Sequence, residues 1–223
     1  METSLHRQLK TLYASTSDQV EVTLGRHRID VVRGDELIEV QCASLSALKN
    51  KTRQLLDEGH QVRIVKPIVD RRKLVQWTSP KGKIKNRRFS PKRGRWIDLF
   101  EDLVFAVSIF PSENLVLECL RLDVEEHRVP RRRRKLPNYR VKDVKLLDVH
   151  ESLELRTSED LWKVLDADVP SPSLDGEFGT KFISEHWNCS RDCAQRIAYV
   201  LRHCESVKTV GRNRQGWQYR RVA

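Results

Sequence analysis

Arg28-Ile29-Asp30-Val31-Val32-Arg33-Gly34-Asp35-Glu36-Leu37-Ile38-Glu39-Val40-Gln41 reads as two β-rich runs around a Gly-X turn. If Gly34-Asp35 is a two-residue loop, opposed residues have numbers summing to 69. Val31 then faces Ile38 and Ile29 faces Val40 on one side; Asp30 faces Glu39, Val32 faces Leu37 and Arg28 faces Gln41 on the other. The first side is apolar. The second sets two carboxylates against each other, which destabilises a ladder by roughly 0.2 to 1 kcal/mol when exposed and by more when desolvated. Such a pair needs a counter-charge. A divalent cation supplies one, and Arg28 or Arg26 beside a solvated hairpin would supply another.

Residues on either side extend the pattern. Leu5, Leu9, Leu12 and Tyr13 recur at helical spacing between Glu2 and Ala14, and Gln19–Leu24 alternates as a strand. Downstream, Ser44 or Ser46 can cap a helix with Leu45, Leu48, Leu55 and Leu56 as core positions, and Gly59 can end it. Val62-Arg63-Ile64-Val65 returns as a strand, so strand, helix and strand form a crossover with the right-handed preference.

An acidic residue at a strand end, a short hairpin, then Glu-x-Gln and a helix resembles the PD-(D/E)xK, or restriction-endonuclease-like, nuclease superfamily. The stretch from Ile29-Asp30-Val31 through Leu37–Ser46 to Val62–Val65 looks like the nuclease core of competence protein CoiA-like domains, over roughly residues 1 to 70. The resemblance implies an α/β (α+β) domain with a mixed sheet flanked by helices. It also implies Asp30 and Glu39 as ligands to Mg²⁺ or Mn²⁺, the Val40 carbonyl as a third, and Gln41 in the catalytic position usually held by lysine. Gln41 can orient a water but carries no charge. Lys49 and Lys51 on the next helix are candidates for that charge. The superfamily often adds a glutamate on its first helix, for which Glu2, His6 and Glu21 are the candidates.

The 223 residues carry a formal net charge of +11, with 33% charged residues, which fits one large domain or two small ones. No run approaches the roughly 20 apolar residues of a membrane span, and Met1-Glu2-Thr3-Ser4 lacks a basic and apolar signal, so a cytoplasmic location is expected. Five scattered cysteines fit a reducing compartment. Cys189, Cys193, His203 and Cys204 match no common zinc spacing and read as helix packing.

Positive charge is concentrated. Thirteen Lys or Arg residues lie between Arg63 and Arg95 against one acid, Asp70. Lys81, Lys83, Lys85, Arg87 and Arg88 sit on an expected loop edged by Trp77 and Phe89, and Arg131, Arg132, Arg133 and Arg134 form a second run. Both runs suit phosphate contacts with nucleic acid, DNA rather than RNA.

Further on, Trp96–Val107 reads as an apolar helix, Leu115–Leu122 and Lys145–Leu155 as strands, and residues 166–177 as a linker. Residues 178–223 resemble a winged helix-turn-helix domain. Thr180 caps its first helix and Ser190 its second, Arg191, Gln195, Arg196 and Arg202 lie on the outer face, and Arg212 and Arg214 sit on the wing. The expected organisation is therefore a nuclease-like domain over 1–165 and a DNA-binding domain over 178–223. The expected activity is Mg²⁺-dependent endonucleolytic cleavage of DNA. The alternative is a nuclease-fold protein that binds DNA without cutting it. A homodimer would suit cutting of both strands.

Overall fold

A computed structural model describes residues 2–15, 18–131, 137–172 and 176–222. It divides into two compact units, each assembled from separate stretches of chain: 1–42, 65–94 and 120–152 in the first, and 43–64, 95–119 and 153–223 in the second.

The first unit is built on a seven-stranded sheet. Helix α1 (Ser4–Tyr13) leads into β1 (Gln19–Leu24), β2 (His27–Arg33) and β3 (Glu36–Val40). Next come β4 (Gln61–Trp77), β5 (Ile84–Phe89), β6 (Leu115–Pro130) and β7 (Tyr139–Leu155). The strand order is β1-β2-β3-β4-β6-β7, with β5 pairing β4 off this path. Gly25 and Gly34, both at φ +56°, make the two tight turns of the β1-β2-β3 meander, a conformation glycine adopts without a Cβ clash. The expected register holds where the strands pair: Arg33 opposes Glu36, Val32 opposes Leu37 and Val31 opposes Ile38, in antiparallel sense.

Thr3 caps α1 by accepting from the His6 amide, and Ser4 is tied to the Asp143 carboxylate on β7. The helix lays Leu5 and Leu9 on the sheet against Val31, Ile38, Val40, Val65, Leu120, Leu122 and Val124, all buried. Leu12, expected in the core by its spacing, is 58% exposed: the helix ends one residue later, and only Leu5, Leu9 and Lys10 on it are buried. Beyond β3 the Gln41 amide donates to the Val65 carbonyl at 2.9 Å, continuing the β3–β4 neighbourhood. The basic stretch after Trp77 is a hairpin rather than a long loop, because β5 folds back antiparallel on β4 with Lys73 opposite Phe89 and Trp77 opposite Ile84.

In the second unit, Ser44 caps a 3-10 turn over Leu45–Ala47, α2 spans Lys49–Asp57, and Gly59 at φ +84° follows its end. The apolar run expected as one helix over Trp96–Val107 is broken into a 3-10 turn, Trp96–Leu99, and a four-residue helix α3, Phe100–Leu103. Side-chain carboxylates accept the amides at the start of this run. Asp98 accepts from the Arg95 amide, and Asp168, at the end of α4 (Asp160–Asp168), accepts from the Trp96 and Ile97 amides. Residues 166–177, expected as a linker, therefore begin inside α4, and the Trp187 indole also donates to the Leu165 and Val169 carbonyls.

The chain then forms β8 (Phe178–Gly179), α5 (Thr180–His186), α6 (Arg191–His203), β9 (Val207–Asn213) and β10 (Gly216–Arg221). The last strands make a three-stranded sheet in the order β8-β10-β9. Ser190 caps α6 as expected, whereas Gly179 rather than Thr180 occupies the cap position of α5. Ile183, Trp187, Ala194, Ile197, Ala198 and Leu201 form the buried side of this helix pair.

Candidate functional site

The most heavily wired polar cluster of the first unit lies where α1 crosses β2 and β3. Glu2, His6 and Lys10 follow at four-residue intervals and so share one face of the chain entering and forming α1. The His6 Nδ1 lies 2.8 Å from Glu2, its Nε2 lies 2.9 Å from the Val40 carbonyl, and Nε2 is 3.3 Å from Asp30 Oδ2. Both nitrogens face acceptors, so the ring is a double donor, an imidazolium. The Asp30 carboxylate beside it, with Glu2, outweighs partial burial and lifts the His6 pKa from 6.5 to about 9.

Lys10 is buried, at 5% exposure, and its Nζ sits 2.6 Å from Glu2, 2.6 Å from Glu21 and 4.0 Å from Asp30. Burial works against its charge, and the three carboxylates more than offset that, so its pKa rises. Glu21 belongs to β1 at φ +57°, an uncommon conformation for a side-chain-bearing residue, and it also bonds Arg28. Asp30 accepts from the Val40 amide at 2.9 Å. Burial pushes its carboxyl upward, and His6, the Val40 amide and Lys10 together hold it below the usual carboxylate range. Val40 thus offers its amide to Asp30 and its carbonyl to His6.

The expected catalytic set is therefore distributed as follows. Asp30, Val40 and Glu21 join the His6–Lys10 cluster. Glu39 is buried on β3 at 4% exposure, and Gln41 follows it, half-buried. Lys66, one residue beyond Gln41's partner Val65, is also buried, at 7%. Lys49 and Lys51 lie on α2 in the second unit. Sequence reasoning missed Lys10 and Lys66. The Glu2, His6, Lys10 spacing could have revealed the first; nothing local marks the second.

A separate group of three possible ligands lies on neighbouring strands: Asp70 on β4, Asp123 on β6 and His150 on β7, with donor atoms within 4.8 Å of one another. Arg93 and Arg121 flank Asp70 at 3.5 and 3.4 Å, and the Arg71 amide donates to Asp123, so protein groups already answer these charges.

The basic residues are exposed where expected. Lys81, Lys83, Lys85, Arg87 and Arg88 line the β4–β5 hairpin, and Arg131 ends the described part of its run, Arg132, Arg133 and Arg134 lying outside the described residues. In the second unit Arg191, Gln195 and Arg196 are on the outer face of α6, although Arg196 is 3.4 Å from Glu101. Arg212 and Arg214 are exposed near the β9–β10 turn, with Arg212 over Trp217. Cys204 donates to the Phe110 carbonyl, and burial pushes the Cys193 and Cys204 thiols up to about 12. No described helix is long and apolar enough to cross a membrane.

Fold and site together define a mixed α+β protein with a large mixed sheet and a carboxylate–imidazolium–ammonium cluster under its first helix. The chain belongs to the family described as "Domain of unknown function (DUF8091)", whose pattern matches residues 3–156. That span holds α1, the seven-stranded sheet and every cluster residue except Glu2. The chain is also 33% identical over 174 residues to an uncharacterized protein of Treponema pallidum (strain Nichols), an alignment covering 76% of this chain and 68% of the relative. No solved structure matches.

Proposed function

We propose that this chain is a metal-dependent nuclease that hydrolyses DNA phosphodiester bonds at Asp30, Glu39 and Gln41. The element order α1-β1-β2-β3-α2-β4 agrees with a restriction-endonuclease-like core, and the observation that carries the reading is the pairing of Asp30 with Val40. One Asp30 oxygen accepts the Val40 amide, which holds the carboxylate beside the main chain that follows Glu39. Two carboxylates and a backbone carbonyl are hard oxygen donors, a set that fits Mg²⁺ or Mn²⁺. Asp30, Glu39 and the Val40 carbonyl would hold the ion, which when bound supplies Lewis acidity and a water of lowered pKa. The protein's own groups do the rest. His6 and Lys10 keep Asp30 ionised, and Gln41 orients a water through its amide.

The order β8-α5-α6-β9-β10 supports a winged-helix reading of 178–222, with Arg212 and Arg214 at the wing and Arg191 and Gln195 on α6 as groove or phosphate contacts. One observation favours a second reading. His6 and Lys10 already neutralise Asp30 without any metal, as they would in a nuclease-fold protein that binds DNA without cutting it.

Plasmid, linear duplex and branched DNA incubated with Mg²⁺ or Mn²⁺ decide between them, with EDTA and Asp30→Asn as controls. Cutting that both controls abolish supports the nuclease. Binding without cutting supports the second reading, and neither binding nor cutting overturns both.

A further inference from the structure

The first unit carries a second recess, at the far end of the sheet, that the nuclease reading does not use. A cavity of about 460 Å³ opens beside the ends of β4, β6 and β7, and its wall includes Gln76, Trp77, Lys85, Arg128, Asn138 and Tyr139. The volume falls in the roughly 300–1,000 Å³ range that admits a small organic group. No carboxylate is among the described residues that line it. It thus combines two aromatic rings, two cations and two amides.

The rings are held in place. The pairing of β4 with β5 shifts register between Gln76 and Trp77, an irregularity of the kind that re-aims a side chain. The Trp77 indole donates at 2.9 Å to Nδ1 of buried His127, which leaves His127 Nε2 to donate to Glu125 at 2.9 Å; Glu125 in turn pairs with Lys73 at 3.0 Å. This chain fixes both the indole plane and the imidazole tautomer. Lys142 Nζ lies 4.2 Å from the indole centroid, and Arg128 lies 3.9 Å from the Tyr139 centroid while Glu126 holds its guanidinium. Outside the recess, Lys81, Lys83, Arg87 and Arg88 are also exposed on the same hairpin.

We propose that this recess takes an unpaired nucleobase of single-stranded DNA, stacked against both Trp77 and Tyr139, with Lys85 on the adjoining phosphate and Gln76 or Asn138 on the base edge. The inference rests on DNA being the partner under the nuclease reading. A base inside a duplex has both faces covered by its neighbours, so an aromatic platform selects strands whose bases are free, while the exposed cations suit a backbone rather than a single nucleotide. The chain would therefore engage DNA that carries a single-stranded segment.

The test measures binding in EDTA by tryptophan fluorescence and anisotropy, using an oligonucleotide, the same strand with abasic sites, and its duplex. Trp77→Ala and Tyr139→Ala should each weaken single-strand binding roughly tenfold and leave duplex binding unchanged. Trp77→Phe, which keeps a ring, should retain most of it and reports on folding. The abasic strand should bind wild type as weakly as the intact strand binds Trp77→Ala, and Lys85→Ala should lower the salt slope by about one. Equal binding of intact and abasic strands, or full affinity in both alanine variants, overturns the inference and leaves duplex cutting untouched. Stacking without any cutting in Mg²⁺ sustains the recess and removes the nuclease.

Discussion

His6 gives the sharpest quantitative expectation. Its imidazolium is held by Asp30 first and Glu2 second, which moves its pKa from 6.5 to about 9. A group whose folded pKa is raised contributes stability that is fully present below pH 6.5 and is lost as pH rises through 9. At about 1.36 kcal/mol per pH unit the interval corresponds to roughly 3 kcal/mol. The His6 side chain is 22% exposed, and solvent screening reduces that figure to about 1–2 kcal/mol. Replacing His6 by glutamine keeps one donor for the Val40 carbonyl and removes the titration. Urea unfolding in EDTA, from pH 6 to pH 9.5, should show wild type losing about 1–2 kcal/mol more than His6→Gln across the interval. Parallel curves for the two proteins would refute the coupling of His6 to Asp30 and leave Lys10 as the cation beside that carboxylate.

Two further expectations concern the second unit. Buried Arg63 reaches Glu118 at 2.6 Å and Glu154 at 2.5 Å, so Arg63→Ala removes a buried cation from both carboxylates and should cost about 3 kcal/mol in urea unfolding, whereas Arg63→Leu with Glu118→Leu should recover part of it. A cost under roughly 1 kcal/mol for the single change would count against that ion pair. Asp160 accepts from the Arg156 and Thr157 amides, the Thr157 hydroxyl and Lys163, so Asp160→Ala should cost about 1–2 kcal/mol. Burial pushes its carboxyl upward, but Lys163 and these donors hold its pKa down to about 2. Its contribution is therefore present above the ordinary 3.8 and lost as pH falls through 2. Thermal melts between pH 5 and pH 2 should show a shallower acid loss for Asp160→Asn.

What the sequence reveals is what short-range rules control. Gly34 needs φ > 0, the turn length fixes the register, and the register fixes which residues share a face, so Ile29, Val31, Ile38 and Val40 were legible as core and Asp30 as lying on the opposite face. Long-range packing governs what was missed. Lys10 looks like a solvated helix residue until α1 lies across the sheet and brings it to Glu21, 11 positions away. Trp96–Val107 has helical periodicity, yet it begins as a 3-10 turn over Trp96–Leu99 and its regular helix spans only Phe100–Leu103. The cations after Trp77 read as a loop, because exposed residues in a hairpin show no apolar alternation.

Charge is also placed unevenly within the first unit. At the α1–β2 cluster three carboxylates, Glu2, Glu21 and Asp30, meet three cations, His6, Lys10 and Arg28, so the site itself attracts a polyanion weakly. The surplus behind the net charge of +11 is exposed elsewhere, notably on the β4–β5 hairpin. Under the proposed nuclease reading, long-range attraction to phosphate would come from the hairpin and oriented short-range chemistry from the cluster. Removing hairpin cations should change how strongly DNA binds and how steeply salt opposes it, while the pH dependence that His6 imposes stays as it is. Charges spaced beyond a Debye length of roughly 10 Å couple weakly, so the two effects are separable by mutation.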